Sequence, residues 1–353
     1  MLRVSVALCT YNGERFLEEQ LGSLAAQTRL PAELVVTDDA SADRSAALLD
    51  AFAADAPFPV RVMRNARNLG STASFERTIA ACRGELVALC DQDDLWRPAK
   101  IERLAQALEA DRHAGYAFCD ADVVDETLRP LGLRMWDTVG FGNGAWRAFR
   151  GERQIDMLME RTRVTGATMV IRASRFAACR PFPADVVHDR WLATVLSAIG
   201  AHGVTVAESL VAYRQHTGQQ IGVGRALQRR SLRAQVSRDF VLEQRRRMRR
   251  ECTLGARFIE HIDWLLAEPG ALASDEAAQA RRSRALAADR YRHVAARAAL
   301  DDASSAATMA TIVRELASGD YRRYSGGLRA MLSDVLYCVR DRRHELGPRP
   351  VVR

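Results

Sequence analysis

Residues 85–96, ELVALCDQDDLW, place three carboxylates directly after an apolar run. Glu85–Cys90 has the composition of a buried strand, and Asp91–Asp94, called the acidic turn below, follows it at once. Carboxylates this close repel one another if they face a single point. A hard divalent cation such as Mg²⁺ or Mn²⁺ takes oxygen ligands and would offset that repulsion. The other interpretation is a solvated turn that caps a helix beginning near Pro98.

Three more polar clusters follow predicted strands upstream of the acidic turn. The predicted strands are Arg3–Cys9, Glu33–Thr37 and Val60–Arg64, and the predicted helices between them and Glu85 are Glu14–Gln27, Asp43–Ala54 and Ser71–Cys82. This alternation predicts an α/β fold, a mostly parallel sheet with helices on both faces. Because ligands bind beyond the carboxyl ends of such strands, Thr10–Gly13, Asp38–Ser41 and Asn65–Gly70 are expected to meet the acidic turn at one edge.

The rest of the chain divides at a change of charge. Short strands are expected at Tyr116–Cys119, Thr165–Ile171 and Val204–Val206, and a helix at Leu192–Ile199. From Arg225 onward the pattern is helical and rich in arginine, with interruptions near Gly255, Gly270 and Gly319. Residues 1–224 carry a net charge of −3 and residues 225–353 one of +10. We predict a domain over residues 1–222 and a basic helical region over 225–353, with the boundary in Gly218–Gly224.

The composition is that of a globular protein in a reducing compartment. Of 353 residues, 48% are hydrophobic and 27% charged, and no apolar stretch approaches the roughly 20 residues that span a bilayer. The seven cysteines are scattered without a CxxC pair, which favours the cytosol over a disulfide scaffold. The apolar start of the chain is interpreted as a strand and not as a signal peptide. The chain contains a single lysine, Lys100.

Four segments together resemble glycosyltransferase family 2. They are VALCTYNGERFLEEQLGSLAAQT (6–28), VVTDDASADRS (35–45), NARNLG (65–70) and LCDQDDLWRPAKIERL (89–104), in that order. The resemblance covers about residues 1–222 and is nearest to the branch of rhamnosyltransferases and related enzymes that build bacterial surface polysaccharides. It implies a GT-A fold and an inverting, metal-dependent transfer from a UDP- or dTDP-sugar to a glycan or lipid-linked acceptor.

The resemblance also implies roles for single residues on the donor side. Thr10 and Asn12 would line the nucleotide pocket, with Tyr11 against the base or ribose, and Asp39 would contact the pyrimidine. The carboxylates Asp91 and Asp93 would serve the metal, Asp91 alternatively the ribose, while Asp94 would be a further acidic position or a helix cap. In the segment Tyr213–His216, Arg214 would meet phosphate, and His216 would complete the metal shell or remain an ordinary surface residue.

On the acceptor side, Asp189 precedes Trp191 in HDRW (188–191) and matches the position of the family's catalytic base. Inverting transfer needs a carboxylate that takes the proton of the attacking hydroxyl. A simple helix N-cap is the alternative for Asp189, and His188 is the fallback base because imidazole titrates near neutral pH. Thr165–Ala167 resembles the glycine-containing acceptor segment, where close approach of backbone and sugar is the functional interpretation.

Two expectations concern partners. The stretch Arg225–Arg250 is basic, and Phe240, Val241, Met248 and Leu254 could form an apolar face beside it. This pattern suggests a peripheral location at an anionic inner membrane surface. The alternative is a solvated face of a helical bundle. Nucleic acid is not expected, since these arginines lack interleaved aromatic residues. A catalytically inactive GT-A subunit that only binds nucleotide-sugar is the competing function, and hydrolysis of a nucleotide-sugar by the purified protein would separate the two.

Overall fold

The computed structural model describes residues 1–151, 153–217, 219, 238–301, 305–325 and 327–336. Backbone contacts divide these residues into two units. The first holds the residues up to 219 together with Ile262–Ser283, and the second holds the described residues from 238 to 261 and from 284 to 336. The predicted boundary lies, apart from Gln219, outside the described residues, so the division into 1–222 and 225–353 stays a prediction.

The first half of the sheet has the predicted alternation of strands and helices. The elements are β1 (Val4–Thr10), α1 (Leu17–Ala25), β2 (Glu33–Asp38), α2 (Ser45–Asp55), β3 (Val60–Arg64), α3 (Ser71–Ala81) and β4 (Leu86–Cys90). All neighbouring pairs among these strands are parallel. Every residue of β1, β2 and β4 is buried, as expected for strands that are covered on both faces.

Beyond β4 the sheet becomes mixed. The elements are β5 (Leu95–Trp96), α4 (Lys100–Ala110), β6 (Tyr116–Val124), β7 (Pro130–Arg134), α5 (Met135–Val139), α6 (Arg153–Glu160), β8 (Met169–Arg172), α7 (His188–Ala198) and β9 (Gly203–Arg214). The strand order is β3-β2-β1-β4-β8-β6-β9-β5, and β7 pairs with β6. Strand β8 is antiparallel to β4 and β6, whereas β9 is parallel to β6 and antiparallel to β5.

One predicted strand is shorter than expected. Thr165–Ile171 was expected to be a strand, but Gly166–Thr168 forms a turn of 3₁₀ helix and β8 begins only at Met169. The reason is a tertiary hydrogen bond, because the Gly166 amide donates to an Asp189 carboxylate oxygen at 2.9 Å instead of to a neighbouring strand. The irregularity therefore directs this segment towards Asp189.

The described residues that follow β9 are helical from 238 onward, as the sequence predicts. Helices α8 (Arg238–Ala267) and α9 (Ser274–Ala298) are followed by α10 (Ser305–Ala317), α11 (Asp320–Tyr324) and α12 (Leu328–Leu336). The expected interruption at Gly255 is wrong, since this residue lies inside α8. A Cβ there would come 2.9 Å from Tyr291 Cδ2, so the glycine allows two helices to approach closely. None of the described helices combines the length and apolar content that crossing a bilayer requires.

A pair of glycines tests the packing of the parallel sheet. A Cβ on buried Gly84 would lie 2.6 Å from the Ser5 backbone nitrogen of β1, whereas exposed Gly22 in α1 has nothing within 4 Å. Gly84→Ala is expected to destabilise the fold by about 1–3 kcal/mol through overpacking. Gly22→Ala is expected to stabilise it by about 0.5–1 kcal/mol through helix propensity. Thermal unfolding of both variants measures this, and a Gly84→Ala midpoint at or above the wild-type value would contradict the packing.

Candidate active site

Strand register brings the four polar clusters to one edge of the sheet. Thr10 is level with Asp38 across β1 and β2, and Leu8 is level with Cys90 across β1 and β4. Residues that directly follow these parallel strands therefore lie side by side. The expected convergence is seen in the hydrogen bonds that join each cluster to the next.

Gln92 fastens the loop after β1 to the acidic turn. Its Oε1 accepts hydrogen bonds from Thr10 Oγ1 and from the Tyr11 amide, both at 2.7 Å, and its Nε2 donates to the Tyr11 carbonyl at 3.3 Å. Thr10 is buried, while Tyr11 stands 48% exposed at the rim. The Tyr11 ring is therefore accessible from solvent, as its predicted contact with a base or ribose requires.

Asn12 joins the loops after β1 and β2. Its backbone is in the left-handed region, with φ of 49°, and its amide donates to Ser41 Oγ at 2.9 Å. The Ala42 amide donates to Asn12 Oδ1 at 2.9 Å. The side-chain oxygen of Asn12 therefore joins these two loops, and its place in a nucleotide pocket stays a prediction.

Asp39 organises the third cluster. Its buried carboxylate accepts hydrogen bonds from Asn65 Nδ2 at 2.6 Å and from the Leu69 and Gly70 amides at 2.8 Å each. These three bonds fix the loop between β3 and α3 against the end of β2. A pyrimidine contact would use the lone-pair capacity that remains on this carboxylate, and that contact stays a prediction.

The carboxylates of the acidic turn have different surroundings. Asp93 Oδ2 lies 2.8 Å from His216 Nε2, so the structure brings together two of the predicted metal ligands. Asp94 is fully buried, accepts the Arg214 amide on Oδ1 at 3.0 Å, and has no hydrogen-bond partner for Oδ2 among the described residues. The alternative of Asp94 as a helix cap is wrong, because α4 begins only at Lys100 and has no side-chain cap. The intervening β5 pairs with β9, which turns Asp94 towards Arg214.

Electrostatics show that these groups share one site. Desolvation raises the pKa of Asp91 to about 7, and the charges of Asp93 and Asp189 contribute to that rise. Burial also raises the pKa of Asp94 well above its usual range, and the charges of Asp93 and Asp91 raise it further. Buried carboxylates whose charges disfavour one another's ionisation offer the oxygen ligands that a hard divalent cation prefers. The residues present therefore fit the expected Mg²⁺ or Mn²⁺.

Arg214 holds the acidic turn from behind. The side chain is 1% exposed; its Nε donates to the Asp93 carbonyl at 2.8 Å, and one terminal nitrogen donates to the Glu126 carbonyl at 2.6 Å. The other terminal nitrogen bonds the Glu19 carboxylate, and the guanidinium lies 4.4 Å from the centre of the Phe16 ring. These contacts do not match the expected contact of Arg214 with phosphate. Because its guanidinium bonds protein groups, we assign Arg214 the role of positioning the acidic turn.

Asp189 lies in the first turn of α7, and its charge contributes to the raised pKa of Asp91. The helix N-cap is Val187, without a side-chain cap, so the N-cap alternative for Asp189 is not realised. Amides of Gly166 and Arg190 donate to its two carboxylate oxygens at 2.9 and 2.5 Å. These bonds orient the carboxylate beside the glycine-containing segment.

His188, the fallback base, is buried in an apolar setting. Its ring stacks on Phe75 with centroids 4.0 Å apart, and neither ring nitrogen has a hydrogen-bond partner among the described residues. Burial lowers the pKa of His188, which keeps the imidazole neutral. A buried imidazole behind Asp189 is less suited to receive a substrate proton than the oriented carboxylate.

Comparison with known proteins identifies the family. A family model described as glycosyl transferase family 2 matches residues 5–180, which include all four polar clusters. The chain belongs to this family of glycosyltransferases. The match ends before Asp189, Arg214 and His216, so the roles of these three depend on the geometry above.

Individual relatives add context. An uncharacterized protein of Mycobacterium tuberculosis is 29% identical over 60% of this chain and 59% of its own length, so the chain spans about three fifths of this relative. The succinoglycan biosynthesis protein ExoO of Rhizobium meliloti is 34% identical over 38% of this chain and 36% of its own. The structure of S. aureus TarS 1-349 in complex with UDP-GlcNAc matches with a TM-score of 0.51, 16% identity and coverage of 95% and 91%. That likeness shows the GT-A type of fold.

The sequence does not reveal the residues that position other side chains instead of contacting a ligand. Gln92 lies in the acidic turn but carries no charge, and nothing in the first family-like segment marks Phe16 or Glu19 as contacts of Arg214. Lys100 does stand out in the sequence, since it is the only lysine of the chain. Such residues become visible only through the side chains that they touch.

The Gln92 bonds generate a prediction for the loop after β1. Gln92→Ala removes three hydrogen bonds to Thr10 and Tyr11, and the buried Thr10 hydroxyl left unpaired costs about 1–3 kcal/mol. We expect faster amide hydrogen exchange in the peptide that contains Tyr11. Gln106→Ala, which alters a glutamine on the surface of α4, is the control and is expected to leave that peptide unchanged. Equal exchange in wild type and Gln92→Ala would show that the glutamine does not fasten the loop.

Proposed function

We propose that the protein is an inverting, divalent metal-dependent glycosyltransferase that uses a UDP- or dTDP-sugar. The observation that carries the proposal is the distance of 2.8 Å between Asp93 Oδ2 and His216 Nε2. In the same acidic turn, the charge of Asp189 contributes to the raised pKa of Asp91. A donor-side acidic turn and an acceptor-side carboxylate then share one site. One-step displacement with inversion needs these two parts on either side of the anomeric carbon.

Asp91, Asp93 and His216 would hold the cation. When bound, Mg²⁺ or Mn²⁺ would supply Lewis-acid stabilisation of the leaving nucleoside diphosphate. The chain itself fixes the ligands: His216 packs on Phe16 with ring centroids 4.8 Å apart, and Arg214 holds the Asp93 carbonyl. Ligands positioned in this way need little rearrangement when a donor arrives.

Asp189 acts as the base in this proposal. Its carboxylate takes the proton of the acceptor hydroxyl as that oxygen bonds to the anomeric carbon and the bond to the diphosphate breaks. The Gly166 and Arg190 amides keep the carboxylate in one orientation. Gly166 has no side chain, and a Cβ there would lie 3.0 Å from His188 Nε2, so the glycine lets this segment pack closely against the start of α7.

The biological setting is the synthesis of bacterial surface polysaccharide. The name of ExoO, a succinoglycan biosynthesis protein, supports this, as does the resemblance to the rhamnosyltransferase-like branch. The acceptor would be a glycan or a lipid-linked saccharide. A thermal-shift screen of UDP- and dTDP-sugars with Mn²⁺ identifies the donor class.

Two substitutions separate the proposed roles. Asp93→Ala should abolish divalent-dependent donor binding, because it removes a metal ligand. Asp189→Asn should lower the rate of transfer by about 10²–10⁴ while leaving donor binding largely intact. Calorimetric titration of the donor from the screen, with and without Mn²⁺, measures binding in both variants. Asp55→Ala, an exposed carboxylate at the end of α2, is the control, and unchanged metal-dependent binding by Asp93→Ala would refute the metal assignment.

The peripheral membrane location is a second part of the proposal. Residues 225–237 of the basic stretch lie outside the described residues, as do the side chains of Phe240 and Val241. Met248 and Leu254 are buried in the second unit, which removes their predicted insertion into lipid and leaves charge as the attraction. Arg246, Arg249 and Arg250 lie on the surface of α8.

Vesicle co-sedimentation tests this attraction. Changing Arg246, Arg249 and Arg250 to Gln should weaken binding to anionic vesicles at least roughly tenfold, at about 1 kcal/mol for each basic residue near the surface. The same change of three exposed arginines of the first unit, Arg44, Arg83 and Arg112, serves as the control. Equal sedimentation of the full chain with neutral and anionic vesicles would exclude the electrostatic attachment.

A further inference from the structure

Helix α10 has an apolar face that is exposed. Met309, Val313 and Leu316 follow one another at the spacing of one helical face, and each is between 43% and 59% exposed. Three exposed alanines widen this stripe: Ala306, Ala310 and Ala317. A surface helix normally carries polar residues on the side that faces away from its core. An exposed apolar stripe of this length therefore indicates that something covers it.

Helix α12 exposes a further apolar pair. Leu328 and Leu332 lie one turn apart and are both exposed, whereas Met331 and Val335 pack against the small core of the second unit. Of the twelve large hydrophobic residues exposed in the described part of the chain, five lie between Met309 and Leu332. Such a concentration differs from the scattered single exposures of an ordinary surface.

The exposed charges of this segment are all positive. Over the described residues 305–325 and 327–336, every arginine is exposed: Arg314, Arg322, Arg323 and Arg329. The carboxylates of the same residues are buried or partly buried: Glu315, Asp320 and Asp334. Glu315 Oε2 lies 2.8 Å from His293 Nδ1, and Asp334 bonds the Arg297 guanidinium and the Tyr321 hydroxyl. The acids are thus used inside the second unit, while the basic groups remain available outside it.

We propose that α10 and α12 attach the protein to an anionic phospholipid surface. Their exposed apolar side chains would enter the boundary of the acyl chains, and their arginines would bind the phosphates. Long arginine side chains suit this position, because the stem lies along apolar surface while the charge stays at the headgroups. The inference rests on the proposed membrane location and deepens it, since it supplies the apolar contribution that buried Met248 and Leu254 cannot make.

A second copy of the chain is the other occupant, and charge disfavours it. A symmetric dimer places the same surface of both copies together. Arginines would then meet arginines, with no exposed carboxylate from the described residues of α10–α12 to offset them. An anionic bilayer instead offers the opposite charge together with an apolar interior.

Paired substitutions test the apolar face. Val313→Gln with Leu316→Gln makes the face of α10 polar, and Leu30→Gln with Leu131→Gln makes a similar change at two exposed leucines of the first unit. Glutamine is a good helix former, so both variants are expected to fold, which thermal unfolding checks. We expect the α10 pair to weaken binding to vesicles of phosphatidylcholine and phosphatidylglycerol at least roughly tenfold. The control pair is expected to bind as the wild type does.

Insertion has a signature that attraction by charge alone does not produce. Leu316→Trp places a fluorophore on the proposed face, and Leu30→Trp places one on an exposed site of the first unit. With vesicles that contain brominated phospholipid, we expect quenching beyond that of the wild type in Leu316→Trp only. Bound Leu316→Trp without additional quenching would overturn the inference.

The outcomes separate this face from the arginines of α8. If the variant with Gln at Arg246, Arg249 and Arg250 loses vesicle binding while the α10 pair keeps it, the membrane location stands and the inference fails. If the wild-type chain binds no vesicles, both fail. If the α10 pair keeps vesicle binding but turns an oligomer into a monomer in analytical ultracentrifugation, a second copy covers the face and the inference is wrong.

Discussion

The contact between Arg214 and the acidic turn is the constraint on which the rest of the site depends. Arg214 is the last residue of β9, and it bonds Asp94 through its amide and the Asp93 carbonyl through its guanidinium. These bonds join the end of a long strand to the loop that follows β4, 120 residues earlier. They also set the position of His216, two residues further on, against Asp93. Without this connection the carboxylates would follow β4 as an ordinary exposed turn.

Holding the turn in this way concentrates negative charge where water is scarce. Asp94 is fully buried, and the charges of Asp93 and Asp189 act on Asp91. Such an arrangement destabilises the ionised metal-free protein, and it persists only because surrounding bonds over-determine it. Gln92 and Arg214 provide those bonds without being among the proposed ligands. In the proposed site, the repulsion among these carboxylates would favour the binding of a divalent cation.

The sequence predicts the parts of the structure that are local. Strands β1–β4, the helices between them and the meeting of their polar ends follow from composition and spacing, because each strand–helix–strand unit is formed within about 30 residues. The antiparallel insertion of β8 and the 3₁₀ turn at Gly166 are not local: they depend on Asp189 and on pairing with β4 and β6. Arg214 was likewise assigned to a phosphate, since nothing near it in sequence shows that Glu19, Phe16 and Glu126 surround its side chain.

Residue type carries information even where spacing does not. Arginine serves wherever a cation of this chain forms a bidentate pair with a carboxylate, as in the contact of Arg297 with Asp334. The single lysine occurs where the cation has a backbone carbonyl and an aromatic face as its neighbours and no bidentate partner. The planar guanidinium of Arg297 and the compact ammonium of Lys100 thus each match the shape of their own site.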